Sequence, residues 1–184
     1  MASEIVLALQ TIRSRTLSPL EPSVITVGIF RSGERFNIIP REVHLEGTVR
    51  TYNPQVRDTV ERRMNEILTG ITGAYGGQFA LDYNRGTPSV INDPRLSMQM
   101  ADRMKKTMGA NNVSELPPTM GGEDFAYFSN EIPGFFFRLG VKKPGTTSGG
   151  LHTQTMTADS DAVPVGMRTM TSLVLEYLAG GSVK

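Results

Sequence analysis

The chain has 184 residues, 39% of them hydrophobic and 20% charged, with a formal net charge of +1 and no cysteine. Such a length holds one ordinary domain or two small ones and can bury a real core. The lack of cysteine excludes disulfides, zinc fingers and thiol catalysis, and no Lys/Arg run is long enough for a nucleic-acid or acidic-membrane surface. No apolar run approaches the ~20 residues that span a bilayer, and the N-terminus shows no basic stretch leading into an apolar one with a cleavage site. The expectation is a cytoplasmic protein with neither a nucleic-acid nor a membrane partner. Most of the ten methionines are expected at helical core positions, where the flexible thioether fills gaps.

Residues 3–14 predict a helix, with Ile5, Leu9 and Ile12 on one face and Ser3 as its cap. The stretch from Arg15 to Pro22 ends it. Val24 to Phe30 is a β-branched run of strand character, turned at Arg31-Ser32-Gly33. A second strand is predicted from Glu42 to Tyr52. There Val43, Leu45, Gly47, Val49 and Thr51 face one way, and His44, Glu46, Thr48, Arg50 and Tyr52 the other. That alternation implies a half-buried antiparallel sheet. Asn53-Pro54 caps a long amphipathic helix through Val56, Val60, Met64, Ile67 and Ile71 to about Gly73, with Arg62 and Arg63 on its solvated side. Gln78 to Tyr83 reads as a third strand, giving an α-β-β-α-β order.

Pro88 to Pro94 is a turn-rich hinge, so the domains are placed at residues 1–88 and 89–184. Asp93-Pro94 starts a helix with Leu96, Met100 and Met104 inward, stopped by Gly109. Phe135-Phe136-Phe137 is a continuous apolar run suited to a strand buried on both faces. A Gly-rich loop from Pro144 to Gly150 leads to His152. The last helix has Pro164 near its start and Met170, Leu173, Val174, Tyr177 and Leu178 facing in.

Three segments carry candidate chemistry, each with a plainer reading beside it. In Gly121-Gly122-Glu123-Asp124-Phe125, paired glycines let two carboxylates approach a cation or ligand; equally, Asp124 caps a short helix and Glu123 sits in its first turn. His152 follows the apolar run on a loop, where it can ligate a metal, act as a base or do neither. Zinc takes three or four protein ligands, and the only other histidine, His44, falls on the solvated face of a strand. Asn37 and Arg50 belong to one hairpin: Arg50 can grip a carboxylate bidentately and Asn37 can donate and accept, or both simply face solvent.

Taken in order, Arg35-Phe36-Asn37-Ile38-Ile39-Pro40, Leu45-Glu46-Gly47-Thr48-Val49-Arg50-Thr51, Met120 to Phe128, and Gly150-Leu151-His152-Thr153 resemble the zinc-dependent aminoacylase and carboxypeptidase family. The likeness is to its hippurate hydrolase and indole-acetyl-amino-acid hydrolase branch in particular, and it runs through essentially the whole chain. The resemblance implies an α/β fold: an α+β lid with an antiparallel sheet and two helices over residues 1–88, then the C-terminal part of an α/β catalytic domain over 89–184. It implies that Asn37 and Arg50 bind the amide and carboxylate of an N-acyl amino acid substrate. His152 matches the C-terminal metal ligand, and Glu123 and Asp124 match an acidic motif near the active site without ligating. Gln154 stands where the family commonly has proline.

The family's reaction is amide hydrolysis, in which a metal-bound hydroxide attacks an acyl-amino-acid carbonyl and a glutamate shuttles the proton. Its other metal ligands and that glutamate precede the lid, whereas here Met1 is followed at once by the helix matching the lid's first. The resemblance therefore implies a C-terminal portion only, with no catalytic residue of its own. Its divalent metal, zinc or manganese, would not be held by this chain alone. A missing first lid strand implies a homo-oligomer or a missing N-terminal segment as partner. The alternative is a non-catalytic dimerisation or small-ligand-binding module derived from the same family.

Overall fold

In the computed structural model, which describes residues 1–179, the first helix begins one residue before its expected cap. Helix α1 spans Ala2–Thr11, so Ser3 lies inside its first turn and no side chain caps it. It runs on into a π-helical turn, Ile12–Thr16. Ile5, Leu9 and Ile12 are buried along one face, as their spacing requires.

Strands β1 (Ser23–Ser32) and β2 (Val43–Thr51) pair antiparallel from Ser23 opposite Thr51 to Ser32 opposite Val43. The register shifts between Val27 and Ile29, leaving Gly28 as the extra residue of a bulge. Val43, Leu45 and Val49 are half-buried and Thr51 is buried, while His44, Glu46, Thr48 and Arg50 are exposed. Helix α2 (Pro54–Ala74) starts where Asn53 Oδ1 accepts the Gln55 N–H at 2.9 Å, with proline next in line. Its buried residues are Val56, Val60, Leu68 and Thr72. Together α1, the inner face of β1 and α2 build one core of Ile5, Leu9, Ile12, Ile25, Val56, Val60 and Leu68.

Gln78 to Tyr83 is not a strand; among the described residues the sheet has two strands only. A β-prone stretch becomes a strand when a neighbour supplies a hydrogen-bond ladder, and none does so here. Leu81 packs on the core, and burial pushes the Tyr83 hydroxyl pKa up. Side chains hold the segment that follows. Arg57 donates to the carbonyls of Arg85 at 3.0 Å and Thr87 at 3.2 Å, and Arg85 donates to Asp58 at 2.6 Å.

The chain divides into two compact units, Met1–Ser89 with Thr119–Gly122, and Val90–Pro118 with the residues from Glu123 onward. In the second, Asp93 caps helix α3 (Pro94–Met108) by accepting the Leu96 N–H at 2.7 Å, and Gly109, at φ 88°, ends it. Leu96, Met100 and Met104 pack with Leu173 of helix α5 (Ala162–Leu178). Between these, a single turn forms α4 (Ala126–Ser129). The fold is thus a mixture of helices with a small antiparallel sheet.

Three expectations fail in this unit. Phe135 to Phe137 is half-buried and unladdered. Instead the Asn92 carboxamide accepts the Phe136 N–H and donates to its carbonyl, both at 2.8 Å, taking the two bonds a neighbouring strand would make. On α5 only Leu173 of the five expected residues is buried, joined by Thr169, while Met170, Val174, Tyr177 and Leu178 are exposed. The helix meets α3 along the line through Thr169, Ser172 and Leu173, with Ser172 Oγ accepting from Arg103 Nε at 2.9 Å. The apolar stripe is turned aside. Methionines follow suit: Met100 and Met104 are core, but Met98, Met167 and Met170 are exposed.

Gly47 is where the hairpin is least tolerant, because a Cβ there would collide with the backbone carbonyl of Thr26. Gly47→Ala is expected to destabilise the first unit by about 1–3 kcal/mol. Gly28→Ala, with open space around its Cβ, should shift stability by about 0.5 kcal/mol or less. Urea denaturation of the two variants measures the contrast, and equal stabilities would contradict this steric account.

Candidate functional site

Arg50 lies on the exposed face of β2, opposite Val24 of β1. The pleat puts it there: its neighbours Val49 and Thr51 point to the core, so Arg50 points away. Its Nη1 donates to the Met120 carbonyl at 2.7 Å, a short charge-assisted bond. Met120 belongs to the same unit through the segment Thr119–Gly122. Sequence reasoning did not find this partner, since a backbone carbonyl leaves no side-chain signal.

Asn37 sits in the turn joining the two strands, fully on the outside. The turn is apolar, with Phe36 104% and Ile39 94% exposed. Asn37 and Arg50 are at opposite ends of the hairpin. From Val43, where the turn rejoins the sheet, to Arg50 the strand covers roughly 23 Å at about 3.3 Å per residue. His44, at the turn end of the same face, is exposed and 2.7 Å from Glu46.

In the second unit Glu123 is half-buried and its Oε1 accepts the Phe125 N–H at 3.3 Å. Asp124 is exposed and does not cap α4 with its side chain; only its backbone carbonyl takes part, accepting the Tyr127 N–H at 3.0 Å. The glutamate, one residue earlier, performs the local bonding expected of the aspartate.

His152 is exposed at the apex of a closed loop. The Gly149 N–H donates to Thr155 O at 3.0 Å, and Thr153 Oγ1 donates to Gly150 O at 2.8 Å. A Cβ at Gly149 would collide with the Thr153 and Thr155 hydroxyls, so the tight closure needs glycine. Among the described residues His152 is the one non-glycine with positive φ, at 67°. Left-handed backbone on a side-chain-bearing residue is a feature that clusters at functional positions. Among the described residues no group of three or more His, Cys, Asp or Glu could hold a metal ion. His152, exposed on its loop, offers one imidazole donor. No helix among them is long and apolar enough to cross a membrane.

The family model for peptidase family M20/M25/M40 matches residues 12–176. An N-acetyldiaminopimelate deacetylase of Anoxybacillus flavithermus is 36% identical over 173 residues, covering 94% of this chain and 44% of its own length. A solved structure from methicillin resistant Staphylococcus aureus superposes with a TM-score of 0.84 at 30% identity, over 96% of this chain and 46% of its own. The YXEP protein of Bacillus subtilis, described as a dinuclear metal binding peptidase, gives a TM-score of 0.73 at 27% identity, over 97% and 45%. The chain therefore spans under half the length of these relatives. With the family model matching nearly its whole length, from the end of α1 into the last helix, the chain belongs to peptidase family M20/M25/M40.

Proposed function

We propose that this chain is the C-terminal portion of a metal-dependent amidohydrolase that cleaves N-acyl amino acids, residues 1–88 forming its substrate-binding lid and 89–184 part of its catalytic domain. The observation that carries the reading is Arg50, a tethered guanidinium on an open sheet face in a member of an amidohydrolase-containing family. Arg50 holds the substrate carboxylate. Asn37 bonds the scissile amide, and Glu123 and Asp124 lie near the reacting groups without ligating. His152 supplies one ligand to a zinc or manganese ion, whose remaining donors come from residues outside this chain. Support for the substrate class comes from relatives named for removing an acetyl group from an N-acetylated amino acid. Within that class the hippurate and indole-acetyl-amino-acid hydrolases are the proposed branch, and the cytoplasm the proposed location.

On this reading the purified chain has no zinc- or manganese-stimulated hydrolysis of hippurate, because one histidine does not complete a metal centre. His152→Ala then leaves turnover at background. Robust metal-dependent hydrolysis abolished by His152→Ala would favour a complete active site within these residues. A non-catalytic dimerisation or small-ligand-binding module derived from the same family is the competing reading. It is separated by supplying a relative's N-terminal half in trans: the amidohydrolase reading expects hydrolysis to appear, the module reading expects none.

The separation of Asn37 from Arg50 leads to a second element of the proposal. Both can meet one N-acyl amino acid if Asn37, on its protruding apolar turn, reaches the Arg50 of a second copy. The unladdered outer edges of β1 and β2 are a template for such pairing. Asn37→Ala and Arg50→Ala chains should each lose hippurate binding, and an equimolar mixture should regain about a quarter of the sites, the fraction a two-fold dimer allows. No recovery on mixing, with each variant folded, argues that both groups act within one chain. Light scattering on the wild-type chain should give at least twice the monomer mass, and a monomer at high concentration counts against the assembly.

A further inference from the structure

We propose that the Met120 carbonyl is a positioning group for Arg50, fixing the guanidinium so that its Nε–Nη2 edge is presented as a preformed carboxylate fork. The inference rests on the reading of Arg50 as a carboxylate anchor, and goes beyond it in saying what aims the side chain. An exposed arginine has a long flexible stem, and ordering it on binding subtracts from affinity. Here Nη1 is already committed at 2.7 Å. Because the guanidinium is planar, holding one terminal nitrogen by a short bond restricts the whole plane. A carboxylate takes two parallel N–H bonds from one edge of the group, and the Nε–Nη2 edge has no bonded partner among the described residues. The tether uses the donor the fork does not need.

The carbonyl is itself placed by a strap. Thr119–Gly122 clusters with the first unit although the residues on either side belong to the second. Gly121 has open space where a side chain would be, and at Gly122 a Cβ would meet only Thr87 Oγ1, at 3.6 Å. The strap thus reaches Arg50 without a side chain between Met120 and Glu123 to obstruct it. The two glycines, read from the sequence as room for an approaching ligand, act here as room for backbone beside the arginine.

Magnetic resonance of the arginine side chains in the isotope-labelled full chain tests this, with hippurate as the carboxylate probe. Arg50 is assigned by the signal missing in Arg50→Lys. Rotation of its guanidinium should be slow relative to that of Arg35, an exposed arginine of the hairpin turn. Hippurate should shift the Arg50 Nε–H signal. Deleting Gly121 withdraws the carbonyl, and should restore fast rotation and weaken hippurate binding about fivefold. Two results overturn the positioning role while leaving the anchor intact. One is an Arg50 guanidinium as mobile as Arg35 in the wild-type chain, which needs no variant to fold. The other is unchanged hippurate affinity on deleting Gly121, with Arg50→Ala still abolishing it. Hippurate affinity unaffected by Arg50→Ala, or absent from the wild-type chain, removes the anchor and this inference with it.

Discussion

Which side chains the sheet of the first unit exposes depends on the register between β1 and β2. Side chains alternate along a strand, so a slip of one residue would carry Arg50 into the core and Val49 into water. Two features forbid the slip. Leu45 and Val49 pack on the core built by α1 and α2 and Thr51 is buried, and Gly47 lets the Thr26 backbone come closer than any side chain would permit. The bulge at Gly28 absorbs the mismatch that follows on β1. Burial on one face of the sheet thereby fixes which side chains are exposed on the other.

The second unit solves a different problem. An extended apolar segment without a paired strand leaves backbone donors and acceptors to satisfy, and buried ones cannot go unmet. Asn92 meets both of those on Phe136 with one carboxamide, and the Asp93 N–H donates to the Gly134 carbonyl at 2.9 Å. Asp93 then turns its side chain to cap α3, so two adjacent residues join the segment to the helix and start that helix. Leu173 closes the core from α5, while Met167, Met170, Val174 and Tyr177 remain outside it.

At His152 the loop carries the cost of an unusual backbone. Gly149, Gly150 and the hydroxyls of Thr153 and Thr155 close it tightly, and the histidine occupies the left-handed apex with its ring exposed. Such a position is held by its surroundings rather than chosen by the residue. The acidic pair Glu123-Asp124 shows the same dependence on local geometry, since the side chain of Glu123 rather than that of Asp124 bonds the backbone at the start of α4.

Periodicity and caps were enough to determine the helices at α1, α2 and α3, the β1–β2 hairpin and which face of β2 is solvated. These are local matters: Asn53 and Asp93 cap by reaching two or three residues along the chain, and alternation in β2 is a property of one strand. The motifs around Asn37, Arg50, Glu123, Asp124 and His152 were sufficient to indicate the family as well. What the sequence left undetermined is everything needing a distant partner. Gln78 to Tyr83 and Phe135 to Phe137 have strand-forming side chains and no ladder. Several faces of α5 are apolar, and only the position of α3 decided which one is buried. Arg50 was legible as a cation on the outer face, but its hold on Met120, 70 residues away, was not. A side chain's type is written at its own position, whereas its hydrogen-bond partner is set by how the chain returns.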